Sequence, residues 1–261
     1  LQLRPLPSNN SDCVANEGIL AGCPEKGILW VPFLFLAGGI ALPKLPFDPE
    51  QLPIESFGGE APVAPERLTA HWLRSHFAAP PAWQPEALDE SVGRRPVMIP
   101  AAVLIALVAR PEGLTMLLTQ RTDHLNTHAG QISFPGGRAE DYDVSPADTA
   151  LREAQEEIGL DRRHVEIIGQ LPDYLTGTGY HVIPVVGLVT PPFELAADPN
   201  EVAEIFEVPL AFLMNGAHHQ RLSVDLPTGV RRSFYAMPYQ RFFIWGATAG
   251  MLRNLFHFLR A

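Results

Sequence analysis

Three glutamates, Glu153, Glu156 and Glu157, stand at i, i+3 and i+4 in the segment FPGGRAEDYDVSPADTALREAQEEIGL, residues 134–160. On a helix those spacings bring the carboxylates onto one face, where like charges repel by roughly 0.2–0.5 kcal/mol per pair unless something compensates. Two readings are open. One is a solvated acidic stripe, the common fate of surface glutamates. The other is a set of hard oxygen ligands for a divalent cation such as Mg²⁺ or Mn²⁺. Directly upstream, Gly136 and Gly137 let backbone amides and carbonyls approach a ligand closely. Arg152, next to Glu153, is placed to fix a carboxylate through a charge-assisted hydrogen bond.

The elements that must position these groups are legible around them. Ser145 caps a helix, Pro146 suits its first turn, and Asp148 follows three residues after the cap. Gly159 supplies the stop. Ala147, Leu151, Ala154 and Ile158 make one buried face, so the spacing predicts a helix over 146–158. Residues 101–109 are a continuous apolar run of strand length, and 114–120 follow across a Pro-Glu-Gly turn as the second arm of a hairpin. Further strands are expected at 165–170, 182–189 and 242–245, and an amphipathic terminal helix at 248–259. A short helix is expected at 65–77, followed by a linker marked by Pro80, Pro81 and Pro85. Strands alternating with helices define an α/β chain. Phe242, Phe243 and Trp245 read as core, and His218-His219 as an exposed loop pair. Tyr180 and His181 either line a pocket or, for the tyrosine, fill the core.

Among 261 residues, 29 are acidic and 19 basic, a formal charge of −10 that argues against nucleic-acid binding on a basic surface. An anionic substrate stays open, because metal cations can neutralise phosphates inside a site. Cys13 and Cys23 are not in a C-x-x-C pair and imply neither a disulfide framework nor zinc. Of 26 prolines, 15 fall in the first hundred residues, which places the irregular part of the chain there. The apolar run 27–42 is shorter than a membrane span and is interrupted by Pro32, so a poorly ordered extension is expected there and not a membrane span, with an interfacial anchor or a docked core segment as the alternatives. The expected organisation is an irregular extension over 1–65, a short helix and linker over 66–96, and the main domain over 97–261.

Arg152-Glu153-Ala154-Gln155-Glu156-Glu157-Ile158-Gly159-Leu160 matches the R-E-U-x-E-E-x-G-U end of the Nudix box, U being apolar. Gly137 and five further residues lead to Asp143, where the general pattern has Glu, and eight residues instead of seven then precede Arg152. This resembles the variant box of the coenzyme A pyrophosphatase branch. The resemblance extends through Leu117-Leu118-Thr119-x-Arg121 and through Leu125-x-x-His128-Ala129-Gly130-Gln131-x-x-Phe134-Pro135-Gly136-Gly137. It continues through Thr178-Gly179-Tyr180-x-Val182-x-Pro184-Val185-Val186-Gly187, from Glu201-Val202 to Phe206-Glu207-Val208-Pro209-Leu210, and through Trp245-Gly246-x-Thr248-Ala249-Gly250. It covers about residues 97–255. Asn126 and Thr127 depart from it, standing where related sequences often carry basic residues.

The resemblance implies a Nudix α/β/α sandwich with a mixed β-sheet and a Mg²⁺- or Mn²⁺-dependent hydrolysis of a nucleoside diphosphate linked to another moiety. Glu153, Glu157 and then Glu156 are the implied metal ligands, with the Gly137 carbonyl completing the set and Arg152 orienting Glu153. Glu201 or Glu204, on the loop before Ile205, is the candidate general base provided that loop folds back over the metal cluster; the alternative is a solvated loop glutamate. Arg121 and His128, ahead of the Gly136-Gly137 turn, either contact phosphates or hold surface or structural positions. The implied substrate is coenzyme A or its thioesters, cut to 4′-phosphopantetheine or its acyl form and adenosine 3′,5′-bisphosphate. The alternatives are an ADP-ribose or NADH pyrophosphatase and, outside catalysis, a nucleotide-binding module. A cytoplasmic homodimer with a small-molecule nucleotide substrate, and no nucleic-acid partner, completes the expectation.

Overall fold

The structure, a computed structural model, describes residues 47–86, 98–122, 130–226 and 229–261. Its strands are β1 (Ile54–Phe57), β2 (Ile99–Arg110), β3 (Gly113–Arg121), β4 (Ile132–Ser133), β5 (Gly136–Arg138), β6 (Val165–Gln170) and β7 (Tyr174–Leu175). They continue with β8 (Tyr180–Val189), β9 (Val202–Pro209), β10 (Gln220–Asp225), β11 (Arg231–Tyr239) and β12 (Phe242–Trp245). The helices are α1 (Ala70–Ala78), α2 (Pro146–Ile158), α3 (Leu210–Leu213) and α4 (Gly246–Arg260).

β2 is apolar at almost every position because both of its faces are covered. Ala102, Leu104, Ala106 and Val108 point to α2 and pack with Ala150, Leu151, Ala154 and Ile158. Val103, Ile105 and Leu107 point the other way, into a core shared with Leu73 of α1 and Leu252, Leu255, Phe256 and Leu259 of α4. The sheet between these layers is mixed: β2 pairs antiparallel with β3 and β5 and parallel with β8, whose far edge carries β6 and β7. This is the expected α/β/α arrangement. β9 lines the outer edge of β3, from Thr115↔Pro209 to Arg121↔Val202.

A second, four-stranded sheet runs β1-β10-β11-β12. Its first strand lies inside the stretch expected to be irregular: β1 pairs antiparallel with β10 although all four of its residues are exposed. Glu60, a few residues on, is bound by Arg253 of α4 at 2.8 Å. Arg253 also contacts Glu86 at 3.0 Å and His219 Nδ1 at 3.1 Å, and lies over the Tyr235 ring. The segment from 47 to 86 is thus built into the body of the protein. His219, expected to be exposed, has no solvent-accessible surface; its Nε2 is 2.7 Å from the Leu213 carbonyl, and burial lowers its pKa to about 4. The helix expected over 65–77 is divided, a 3₁₀ turn at Pro65–Leu68 followed by α1, because extended Thr69 caps the Trp72 amide. Phe242 and Trp245 are buried as expected, and Phe243 packs half-buried on the smaller core. Among the described residues, no helix is long and apolar enough to cross a membrane.

Candidate active site

α2 is fixed at both ends. The Ser145 hydroxyl accepts from the Asp148 amide, and Gly159, left-handed at φ 69°, closes the C-terminus with its N–H on Ala154 and Gln155 carbonyls. With its apolar face on β2 and β8, the helix turns Glu153 and Glu157 toward the β5 glycines. Glu157 Oε2 accepts from the Gly136 amide at 3.2 Å. Gly136 holds φ 153°, and a methyl group there would stand 2.5 Å from the β2 backbone. A methyl group on Gly137 would stand 2.5 Å from the Glu153 carboxylate carbon, so a side chain at 137 and the present position of Glu153 exclude each other.

Glu157 is 3% exposed, and its Oε1 has no hydrogen-bond partner among the described residues. Burial drives its pKa well above the ordinary carboxyl value, and the neighbouring Glu153 and Glu201 charges add to the rise against the Gly136 amide and Arg121. Glu153 is pushed up to about 7, by burial first, with Glu156 and Glu201 adding and Arg152 opposing. Glu201 joins the pair because the loop before β9 docks onto the end of α2: the Asp198 amide donates to the Glu157 carbonyl at 2.8 Å, and the Ala196 amide to that of Ile158. The Glu201 carbonyl in turn accepts from the Thr122 amide. Arg121, at the end of β3, is within electrostatic reach of Glu157, Glu201 and Tyr180, which oppose the lowering of its pKa by burial.

Arg152 organises the other side. It reaches Asp143 through Nε and Nη2 at 3.0 and 2.9 Å, Glu153 at 2.8 Å, Glu156 at 3.0 Å and the Arg138 carbonyl at 2.9 Å. Asp143 also accepts from the Glu140 amide and the Thr149 hydroxyl. Its hydrogen bonds with Arg152 are the main reason its carboxyl is held at about 2. Asp143 thus anchors the arginine that holds Glu153, a role that the sequence pattern signalled only as a Glu-to-Asp departure. The shorter side chain and the extra residue before Arg152 occur together.

The placement of the expected residues is uneven. Glu153, Glu157, Glu201, Gly136, Gly137 and Arg121 share one locality. Glu156 turns outward to Arg152, its side chain 58% exposed. Glu204 lies within β9 and not on the preceding loop, and it pairs with Arg241. Tyr180 is buried. His128, with Asn126 and Thr127, lies outside the described residues. Among the described residues, no three Asp, Glu, His or Cys side chains are already closed around a common point. The donors nevertheless suit a divalent cation: they are carboxylate oxygens, two of them on buried or nearly buried glutamates, and one oxygen is buried without a partner.

A mixed sheet thus lies between helices, with glycines from one strand under carboxylates from one helix. The model of the NUDIX domain matches residues 98–224, and the chain belongs to the Nudix family, hydrolases of pyrophosphate bonds in nucleotide-derived small molecules that generally use divalent metal ions. An uncharacterized Nudix hydrolase, NudL, of Escherichia coli O139:H28 is 43% identical over 188 residues, which cover 72% of this chain and 93% of that protein. The protein of the same name from Yersinia pestis is 43% identical over 155 residues, covering 59% of this chain and 77% of its own. A solved MutT/nudix family protein from Enterococcus faecalis overlays with a TM-score of 0.40 and 16% identity, covering 71% of this chain and 73% of that one.

Proposed function

We propose that this chain is a Mg²⁺- or Mn²⁺-dependent pyrophosphatase that hydrolyses coenzyme A or its thioesters. One observation carries the catalytic reading: a buried carboxylate oxygen of Glu157 without a partner, beside Glu153 and Glu201. Such crowding of acids in a dry place is costly unless a cation occupies it. Glu153 and Glu157, with the Gly137 carbonyl, would hold that cation; Glu156 faces outward onto Arg152 and would have to turn inward to join them. When bound, the metal would neutralise the diphosphate oxygens and stabilise charge on the leaving phosphate.

The chain's own groups do the rest. Glu201, on the turn folded over Glu157, takes a proton from the attacking water. The water oxygen forms a bond to one phosphorus as the bridging P–O bond breaks, giving 4′-phosphopantetheine and adenosine 3′,5′-bisphosphate. Arg152, fixed by Asp143, keeps Glu153 from swinging away. Arg121 at the end of β3, with Gly136 and Gly137 of β5, would meet the substrate's phosphates.

The test is product analysis with Mg²⁺ or Mn²⁺ and, separately, coenzyme A, ADP-ribose and NADH. Adenosine 3′,5′-bisphosphate released fastest, and only with metal, is the expected result; faster cleavage of ADP-ribose or NADH refutes the substrate. Glu157→Gln is expected to fold and to lose at least about 100-fold in turnover, as follows when a ligand worth several kcal/mol is removed. Undiminished turnover refutes its assignment.

A further inference from the structure

The register of the main sheet relates the site to a pair of side chains that the reaction does not use. Gly137, under Glu153, is opposite Ala102 of β2, and Ala102 is opposite Ile183 of β8. One step along the same face, the Ala139 amide bonds the Pro100 carbonyl, and Pro100 is opposite His181. Ile183 packs on the α2 side of the sheet, so strand alternation puts His181 on that side too. Two strand spacings across and two residues along separate the Gly137 and His181 backbones by roughly 12 Å. Pro100 is exposed and Ala139 half-buried, so the floor between them is open and low.

Asp173, beside β7, lies 2.5 Å from His181 Nε2. The Nδ1 nitrogen makes no hydrogen bond among the described residues. A protonated imidazole donates from both nitrogens, so a ring pinned by Asp173 at one of them keeps the other for an anion. Among the described residues, the two arginines that face the carboxylates are engaged: Arg152 with three carboxylates, Arg121 facing Glu157 and Glu201.

We propose that His181, oriented by Asp173, is the subsite for a second phosphate of the substrate, one carried on the ribose beyond the scissile diphosphate. The inference rests on the coenzyme A reading above, whose nucleotide half carries a 3′-phosphate. A ribose-bridged pair of phosphates would lie across the open floor, its diphosphate over Gly137 and its terminal phosphate at His181. The pair would then distinguish 3′-phosphorylated nucleotides from AMP, ADP-ribose and NADH.

The test is the binding of adenosine 3′,5′-bisphosphate and of AMP to the full chain with Mg²⁺, followed by calorimetry. The wild type is expected to favour the bisphosphate about tenfold or more, the worth of one charged hydrogen bond. His181→Ala should remove that advantage and leave AMP affinity within about twofold. His181→Gln, which keeps most of the side-chain volume, serves if the alanine variant does not fold. No advantage in the wild type, or an advantage that survives in the variants, overturns the subsite. Turnover of coenzyme A is a separate readout: a bisphosphate advantage without turnover refutes the substrate alone, and turnover without the advantage refutes the subsite alone.

Discussion

The most exacting check on the acidic site is the stability of the metal-free protein as a function of pH. The Glu153 carboxyl rises from 4.5 to about 7, chiefly through burial. A carboxyl whose folded-state pKa is raised contributes stability that is fully present below pH 4.5 and is lost as the pH climbs through about 7. The whole shift corresponds to about 3 kcal/mol, and because the side chain keeps 14% of its exposure, about 2 kcal/mol is a fairer expectation. Glu153→Gln replaces the charge with a neutral group of the same shape. In EDTA, the variant should melt close to the wild type at pH 4 and about 4–8 °C above it at pH 8, since one kcal/mol moves Tm by about 2–4 °C at this size. Saturating Mg²⁺ should then raise the wild type more than the variant at pH 8. Thermal denaturation at the two pH values, with and without the ion, gives all four quantities. A difference between the proteins that does not change with pH would refute the assignment of burial strain to Glu153.

Gly137→Ala places a methyl group against the Glu153 carboxylate and should reduce turnover about 10–100-fold with little loss of secondary structure by circular dichroism. Asp143→Asn removes the charge that holds Arg152 and should lower kcat by a similar factor, read from steady-state kinetics, with KM changing less. Arg253→Ala leaves Glu60 and Glu86 without their buried guanidinium, and urea unfolding should report a loss of about 3–5 kcal/mol with the site chemistry untouched.

How far the sequence disclosed this structure depends on the range of the interactions. α2 was legible to the residue because its signals are local: Ser145, Pro146 and Gly159 act within one turn, and the Ala147-Leu151-Ala154-Ile158 face needs only helical spacing. β2 and β3 were legible as a hairpin for the same reason. β1 was not, because all four of its side chains face solvent and the strand exists through backbone bonds to β10. Nor was the burial of His219, which depends on Leu213 and on Arg253, 34 residues away. In the site, the box residues carried their own pattern. The position of Glu201 depended on a loop closing on the Glu157 and Ile158 carbonyls, and the separation of Glu204 depended on β9 continuing through it.

The smaller sheet also sets the order in which the chain can complete itself. β1 meets its partner where Ile54 faces Leu222, and Glu60 meets Arg253 across a sequence separation of 193 residues. During synthesis the first of each pair must wait, unsatisfied, until nearly the last helix has emerged. The α2–β2–β8 layer can assemble earlier, from partners lying much closer along the chain. Contacts of such length slow folding through the entropy of closing the intervening loop. The late step is therefore the closure of the flanks, and a nascent chain would expose the edge of β1 and the apolar underside of α4's partners for that interval, a period in which chaperone dependence and aggregation would concentrate.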